Sequence, residues 1–389
     1  MIVRHFLQWV RTASAGERAE ATSALARAYL YSDLSPDDLA AAEGAMLMLL
    51  DDASPLVRRA LADALAASPD APPAIVFALA GDQPMIAAPV LALSPLFIDA
   101  DLVDAAATGG PEVQAAIASR AALPRAVSAA IAEVGTAESC LILVENADAD
   151  IAPLSADRIV ERFGHLAAIR EALLARDDLP VATRQTLVAR LSEMLAGFVA
   201  GRAWLDVDHA RRITRDACEK ATIAIAAAPN TEVRSLISHL RVTGQLTAGL
   251  ILRALLSGNV ALFEEALAEL ADMPVARVSS LVHDSGSAAL RALFDRAELP
   301  PSTYPAFKEA IEAMREGGFI SEPGDATRLK RRMIERVLTR CEDADLGELA
   351  PLITLLRRFA TEAAREEARL FCDDLVAVNF DVQEQSVAA

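Results

Sequence analysis

The sequence predicts an all-α fold, an α-solenoid of stacked helical hairpins, and three observations predict it. Apolar residues recur at helical spacing, as Val57, Leu61 and Leu65 do, while strict two-residue alternation is scarce. Hydrophobic residues make up 53% of the chain and aromatic residues only 4%. Ala, Leu, Val and Ile therefore carry the core, the composition of closely packed helices rather than of sheets. Short proline-containing phrases return at near-multiples of one period, the mark of stacked repeats.

Helix starts can be read in chain order. Ser14 with Glu17 makes a capping box, each side chain accepting the other residue's free backbone N–H. Ser35-Pro36-Asp37-Asp38 sets an N-cap serine ahead of a proline at the first helical position, where an N–H is not needed. Asp52-Ala-Ser-Pro55-Leu-Val57-Arg58, Asp82-Gln-Pro84-Met-Ile86 and Gly110-Pro111-Glu-Val113 repeat that start, with β-branched residues 29 and 27 apart. The phrase Arg-x-x-Leu-Pro begins at Arg120, Arg176 and Arg296; its separations of 56 and 120 are near two and four units of about 28 to 30 residues. Proline ends one helix and opens the next, so each unit reads as helix, proline-marked turn, helix. Such a pair cannot bury its apolar face alone, and stacking of neighbouring pairs supplies the core.

The spacing also predicts boundaries. Gly197 and Gly201 mark a bend between an N-terminal repeat lobe, 1–200, and a C-terminal repeat lobe, 201–316. Gly317-Gly318 through Pro323-Gly324 closes the array, and two charge-rich helices within 326–377 cap its exposed end. Residues 378–389 read as a flexible tail.

The run Val57-Arg58, Leu61-Ala62, Leu65-Ala66, Ala71-Pro72, Leu79-Ala80-Gly81-Asp82, Ala87-Ala88-Pro89-Val90-Leu91 and Ser94-Pro95-Leu96 resembles the opening of a bacterial family of HEAT-like repeat proteins catalogued as a domain of unknown function. The likeness continues through Gln114 to Arg120, Asn146-Ala147, the Leu-Pro phrases, and Leu246 to Glu269, covering roughly residues 40 to 310. Arg253-Ala-Leu and Phe263-Glu-Glu-Ala-Leu match its later part. The resemblance implies hairpins of the HEAT-like kind and brings no catalytic residues with it.

Composition disfavours several chemistries. With 37 basic and 55 acidic side chains the formal charge is −18, a field that repels phosphate backbones unless positive charge gathers locally. Cysteines at 140, 218, 341 and 372 fit neither a zinc knuckle nor a dense disulfide framework and read as thiols in a reducing compartment. Arg4, His5 and Arg11 interrupt the apolar N-terminus. The uncharged stretch Gln83 to Ile98 falls short of the ~20 residues that span a bilayer. A cytoplasmic protein with no transmembrane helix is expected. Gly109-Gly110-Pro111 and Gly317-Gly318 lack the Lys-Ser/Thr of a phosphate loop. Neither a cofactor nor a metal is expected.

Candidate side chains divide into structural and functional ones. Arg58, Arg59, Arg120, Arg176 and Arg296 read as partners for helix C-terminal carbonyls rather than a ligand ladder. Glu161 and His165 share a helix face but are too few for a metal site, and in Trp204-Leu-Asp206-Val-Asp208-His209 the aspartate at 206 reads as an N-cap. His283-Asp284-Ser285 holds triad residue types without a nucleophile elbow. The partner-binding candidates are Arg328, Lys330, Arg331, Arg332, Arg336 and Arg340, where arginines recurring every four residues form one positive stripe in an acidic chain. That band suits an acidic helix, a phosphorylated partner or a nucleic-acid backbone. The expected function is a non-catalytic scaffold or adaptor that binds a protein on its curved surface. The alternative is a nucleic-acid-acting enzyme of the HEAT-like DNA glycosylase type, which requires Arg, Trp and Asp clustered on the concave face.

Overall fold

The computed structural model describes residues 9–10, 12–229, 231–284, 286–317, 331, 334–339 and 353–372. Every regular element among them is helical. The chain divides into two compact units, Met1–Arg190 and Leu191–Ala389. In chain order the first carries α1 (Ala15–Tyr31), α2 (Pro36–Leu49), α3 (Pro55–Leu65), α4 (Pro73–Ala80), α5 (Pro84–Leu93), α6 (Asp99–Thr108), α7 (Pro111–Ala118), α8 (Arg125–Val134), α9 (Ala137–Glu145), α10 (Pro153–Phe163) and α11 (Ala167–Ala175). α12 (Val181–Gly201) contains the division; after it come α13 (Val207–Ala227), α14 (Val233–Val242), α15 (Ala248–Leu256), α16 (Val260–Ala271), α17 (Val275–Asp284), α18 (Ser287–Arg296) and α19 (Tyr304–Gly317). Residues 334–339 and 353–372 are also helical.

The sequence-predicted starts are helix starts. Ser14 and Glu17 close the capping box, and the Ser35 hydroxyl accepts the Asp38 N–H. Pro55, Pro84 and Pro111 open α3, α5 and α7. Val57, Ile86 and Val113 are buried in the first turns of those helices. α12 runs unbroken through Gly197, because one glycine weakens a long helix without terminating it, and ends at Gly201.

Within the first unit most helices pack on the helix two places along, while α2 and α4 pack on their neighbours in the chain. α1 lies on α3, α3 on α5, α5 on α7, α7 on α9 and α9 on α11; in the other layer α6 lies on α8 and α8 on α10. Two parallel tiers therefore share one core, with Leu61, Leu65, Ile75, Leu79, Ile86, Ile117, Ile131 and Leu143 fully enclosed.

Polar side chains tie these tiers together at the repeat spacing. Arg18 forks onto Asp52 and Arg58 onto Asp82, so the aspartate before one proline-started helix receives the arginine of the preceding helix in its tier. The Arg18 contact, assisted by the Ser54 N–H, overcomes burial and holds the Asp52 carboxyl below its ordinary value. Further along, the acceptor becomes backbone. Arg120 donates to Leu91 O at 2.6 Å and Ser94 O at 2.8 Å, at the end of α5. Arg162 donates to Ala132 O in the last turn of α8 and to Gly135 O at its C-cap, each at 2.7 Å. Arg176 donates to Val144 O in the last turn of α9 and to Asn146 O and Ala149 O after it, and Arg190 to Val160 O near the end of α10. Asn146 serves α7 in the same way, donating to Ala118 O and Arg120 O. Arg120 and Arg176 lie just beyond the ends of their own helices, and the carbonyls they serve belong to the preceding hairpin, where stacking leaves them within range.

The Arg-x-x-Leu-Pro phrases are the junctions that carry these arginines. Leu123 and Leu179 are buried anchors, and Pro124 is the N-cap of α8. Two of the three copies turn through a left-handed residue at the same place, Ala122 at φ 50° and Glu298 at φ 53°. Such a backbone costs a residue with a Cβ about 1 kcal/mol that glycine avoids.

In the second unit α16 is central, touching α14, α15, α17 and α18. The scarce aromatics gather here: Phe307 lies 6.1 Å from Phe263 and 4.9 Å from Phe294, and Phe294 meets Tyr304 edge-on at 5.7 Å. Carbonyl capping recurs, with Arg296 on Ala271 O at 2.6 Å and Arg241 on Glu269 O at 2.8 Å.

Two outcomes are expected. Arg120→Met, which strands two buried carbonyls, lowers the unfolding free energy by about 2 to 3 kcal/mol in urea titration. Ala122→Gly raises it by several tenths to about 1 kcal/mol, since relief of the left-handed strain outweighs glycine's greater unfolded entropy.

Candidate functional site

The positive band lies largely outside the described residues, as Arg328, Lys330, Arg332 and Arg340 do. Arg331 and Arg336 are described. Arg331 donates to Glu335 at 2.8 Å, four residues along the chain, and to Glu367 at 2.8 Å on the helical stretch 353–372. Its guanidinium is held well above its ordinary value by those two carboxylates.

The histidine and acid groupings resolve into local contacts. Asp206 accepts the N–H groups of Asp208 and His209 and caps α13, which holds its carboxyl below the ordinary value, while His209 is on the surface. His283 pairs with Glu264 at 2.8 Å, with Ser285 outside the described residues. Glu161 pairs with Arg158 at 2.6 Å rather than with His165. Among the described residues no three of His, Cys, Asp and Glu are grouped to hold a metal. No described helix is long and apolar enough to cross a membrane. Cys140 is fully buried with its Sγ 3.5 Å from Ile131 O, and burial pushes its thiol up to about 11, so it is protonated at neutral pH. Cys341 lies outside the described residues.

Two constellations stand out. One is an open groove of about 820 Å3 between the end of α9 and α11. Val144, Ala147, Ala168, Ala172 and Ala175 line it with small apolar groups, and Glu145, Glu171, Asp177 and Asp178 line it with carboxylates. Its one arginine, Arg176, is engaged by three carbonyls and Asp178. Glu145, Glu171 and Asp177 have no ion-pair partner among the described residues. Sequence reading missed this groove because its acids and alanines sit on two separate segments, 144–147 and 168–178, that only stacking brings together.

The other constellation surrounds Arg253 of α15, whose side chain is 5% exposed. Its Nε donates to Glu219 of α13 at 3.1 Å and its Nη1 to Glu362 at 2.6 Å. Its Nη2 stands 3.6 Å from Asp216 with no hydrogen-bond acceptor, and the guanidinium lies 4.0 Å over the Phe359 ring. Arg358 also pairs with Asp216, and Lys220 with Glu362. Burial pushes the Glu219 carboxyl above its ordinary value, and Arg253 offsets that only in part. A cavity of about 300 Å3 adjoins, walled by Ile223, Leu256, Ile334 and Phe359. The available sequence signal is a single charge inside Leu250-Ile-Leu-Arg253-Ala-Leu-Leu256, seven residues that are all buried.

With this geometry in view, the family comparison is informative. Residues 86–347 match the family described as an uncharacterised protein conserved in bacteria (DUF2336). The chain belongs to that family. No curated protein and no solved structure matches it. The DUF2336 span begins later than the stretch recognised in the sequence and runs further toward the C-terminus. It includes the α9–α11 groove, Asp216, Glu219 and Arg253, and it ends before Arg358, Phe359 and Glu362.

Arg253→Met removes the cation shared by Asp216, Glu219 and Glu362, leaves the buried Glu219 without its partner, and is expected to cost about 3 to 5 kcal/mol in urea titration. Adding Glu219→Gln to that variant is expected to recover part of the loss, because one buried charge is then removed.

Proposed function

We propose that this chain is a non-catalytic helical-repeat scaffold, an α-solenoid of HEAT-like hairpins that binds a protein partner on its curved surface. The observation that carries the reading is the packing of α1, α3, α5, α7, α9 and α11 in one row and α6, α8 and α10 in another, with arginines reaching from hairpin to hairpin 29, 30 and 32 residues apart in the chain. Stacked hairpins of this kind present long continuous surfaces, and their use in biology is recognition along those surfaces. Fold alone does not assign function, so the charge of the surface has to supply the specificity.

That charge favours a basic partner. Residues 1–190 hold 25 acidic and 14 basic side chains. Of the twelve arginines described there, all but Arg27 donate to a carbonyl or a carboxylate of the unit itself. Glu145, Glu171 and Asp177 of the α9–α11 groove consequently face solvent without compensating cations, and its alanine floor admits the close approach of a helix. The arginine band at 328–340 is a second proposed contact, of opposite sign, for an acidic segment of the same or another partner.

The test is affinity capture of the tagged full chain from lysate of its own host, with nuclease, at low salt and at about 0.15 M salt. A stoichiometric basic protein is expected, and Glu145→Lys with Glu171→Lys and Asp177→Lys is expected to weaken its capture at least tenfold, about 1.4 kcal/mol, with folding unchanged by circular dichroism. Arg332→Glu with Arg336→Glu reads out the second contact in the same assay. Recovery of nucleic acid alone, or of nothing, overturns the scaffold reading.

A further inference from the structure

The second half of α12 presents a helix face that nothing in the described chain covers. Met194, Leu195 and Phe198 are 44%, 47% and 49% exposed, and Trp204, just past the helix end, is 63% exposed. These side chains form one patch. The Phe198 and Trp204 rings meet edge-on at 5.8 Å, and the Arg202 guanidinium lies 4.7 Å over Phe198 and 5.8 Å from the centre of the Trp204 ring. Met194 stands one turn before Phe198 on the same face. Trp and Arg, with Phe and Met beside them, are side chains that dominate the energetics and cores of protein interfaces.

Two glycines lie in the same face. Gly197 and Gly201 are four residues apart, and a Cβ added at either meets nothing within 4 Å. Both have ordinary helical neighbours rather than left-handed backbone, since the left-handed glycines are Gly244 and Gly258. Packing inside the chain thus gives no reason for glycine at either place, and glycine weakens a helix relative to alanine. A shallow trough between large apolar side chains is the form that lets a second helix approach closely.

We propose that this face is a two-fold interface between two copies of the chain, with α12 of one copy antiparallel to α12 of the other. The occupant is named by the helix's own pattern, Glu193-Met-Leu-Ala-Gly197-Phe198-Val-Ala-Gly201-Arg202, which is self-complementary about the midpoint between Gly197 and Phe198. Antiparallel apposition brings Phe198 of each copy level with Gly197 of the other, and Met194 level with Gly201. Large meets small at all four positions. The same operation brings Glu193 of each copy level with Arg202 of the other, and both are exposed and make no ion pair among the described residues. A two-fold interface makes each of these contacts twice. The charge of −18 on each copy opposes association, but at about 0.15 M salt repulsion between the two bodies is screened beyond about 8 Å while facing side chains remain in reach.

This inference does not depend on the scaffold reading, and its test separates the two. Sedimentation equilibrium and light scattering are run on the full chain from about 1 to about 100 μM, the range in which a modest helix–helix interface associates. The wild type is expected to move from 41.2 kDa toward twice that mass as concentration rises. Gly197→Leu with Gly201→Leu fills the trough with better helix formers, so it is expected to fold at least as well by circular dichroism and to weaken dimerisation at least tenfold. Phe198→Asp is expected to do the same from the other side of the contact. A wild type that stays at 41.2 kDa throughout, or a dimer that survives both variants, overturns the proposal. A monomeric wild type that still captures its basic partner removes the dimer and leaves the scaffold; a dimer that captures nothing does the reverse.

Discussion

The fold depends on how short helices dispose of their last carbonyls. An α-helix leaves its final four C=O groups without partners inside the helix. In α7, with eight residues, that is half of the helix. A stack of such helices turns this end defect into a bulk property, because a large share of its backbone acceptors lies at helix ends near the core. Water cannot serve all of them once the next hairpin covers them, and an unpaired buried carbonyl costs about 1 to 3 kcal/mol. The solution in the first unit is a forked donor from the next hairpin, as Arg120, Arg162 and Arg176 provide. A guanidinium offers five N–H groups in fixed geometry, so one side chain can serve two or three carbonyls at once, which lysine cannot. The chain's very low lysine content in this unit follows from that geometry: residues 1–190 contain arginine and no lysine.

This use of arginine also explains the surface charge. An arginine that donates to carbonyls, as Arg120, Arg162, Arg184 and Arg190 do, neutralises a helix end rather than an acid. Carboxylates elsewhere on the unit are left with few cations to meet. Glu145, Glu171 and Asp177 are the local expression of that imbalance, arranged around a groove. The acidic surface and the arginine-capped helix ends are therefore one property seen from two sides, and it is this property on which the proposed recognition of a basic partner rests.

What could be read from the sequence was what is local or periodic. Ser14 with Glu17, Ser35 before Pro36, and Asp206 act within one helical turn, so their roles are visible in a few consecutive residues. Pro55, Pro84 and Pro111 gave the period because each repeats the same local start. The acceptors of the arginines were not visible, since Leu91 lies 29 residues from Arg120 and only stacking brings the two together. Gly197 does not interrupt its helix because a glycine signals a break only where neighbouring residues agree, and the residues around it continue the helix. Arg253 was passed over as part of a familiar phrase, although a lone cation inside seven buried residues is itself a signal that countercharges must arrive from elsewhere.

The two units answer the same desolvation problem by different means. Arg120 is half enclosed by helix ends, and burial alone pulls its guanidinium below the ordinary value, so dipolar carbonyls stabilise its charge without a countercharge. Arg253 is enclosed more completely and meets Glu219, Glu362 and Asp216 as well as the face of Phe359. A carbonyl acceptor is fixed once its helix forms, whereas Glu362, 109 residues from Arg253 in the chain, has to be brought in by tertiary docking. The first arrangement extends by repetition, each hairpin carrying the donors for the one before it. The second cannot be repeated, because it needs three acids and a ring from separate elements to converge on one cation. A stack can be lengthened by the first device, but a cluster of the second kind holds its elements together at one place.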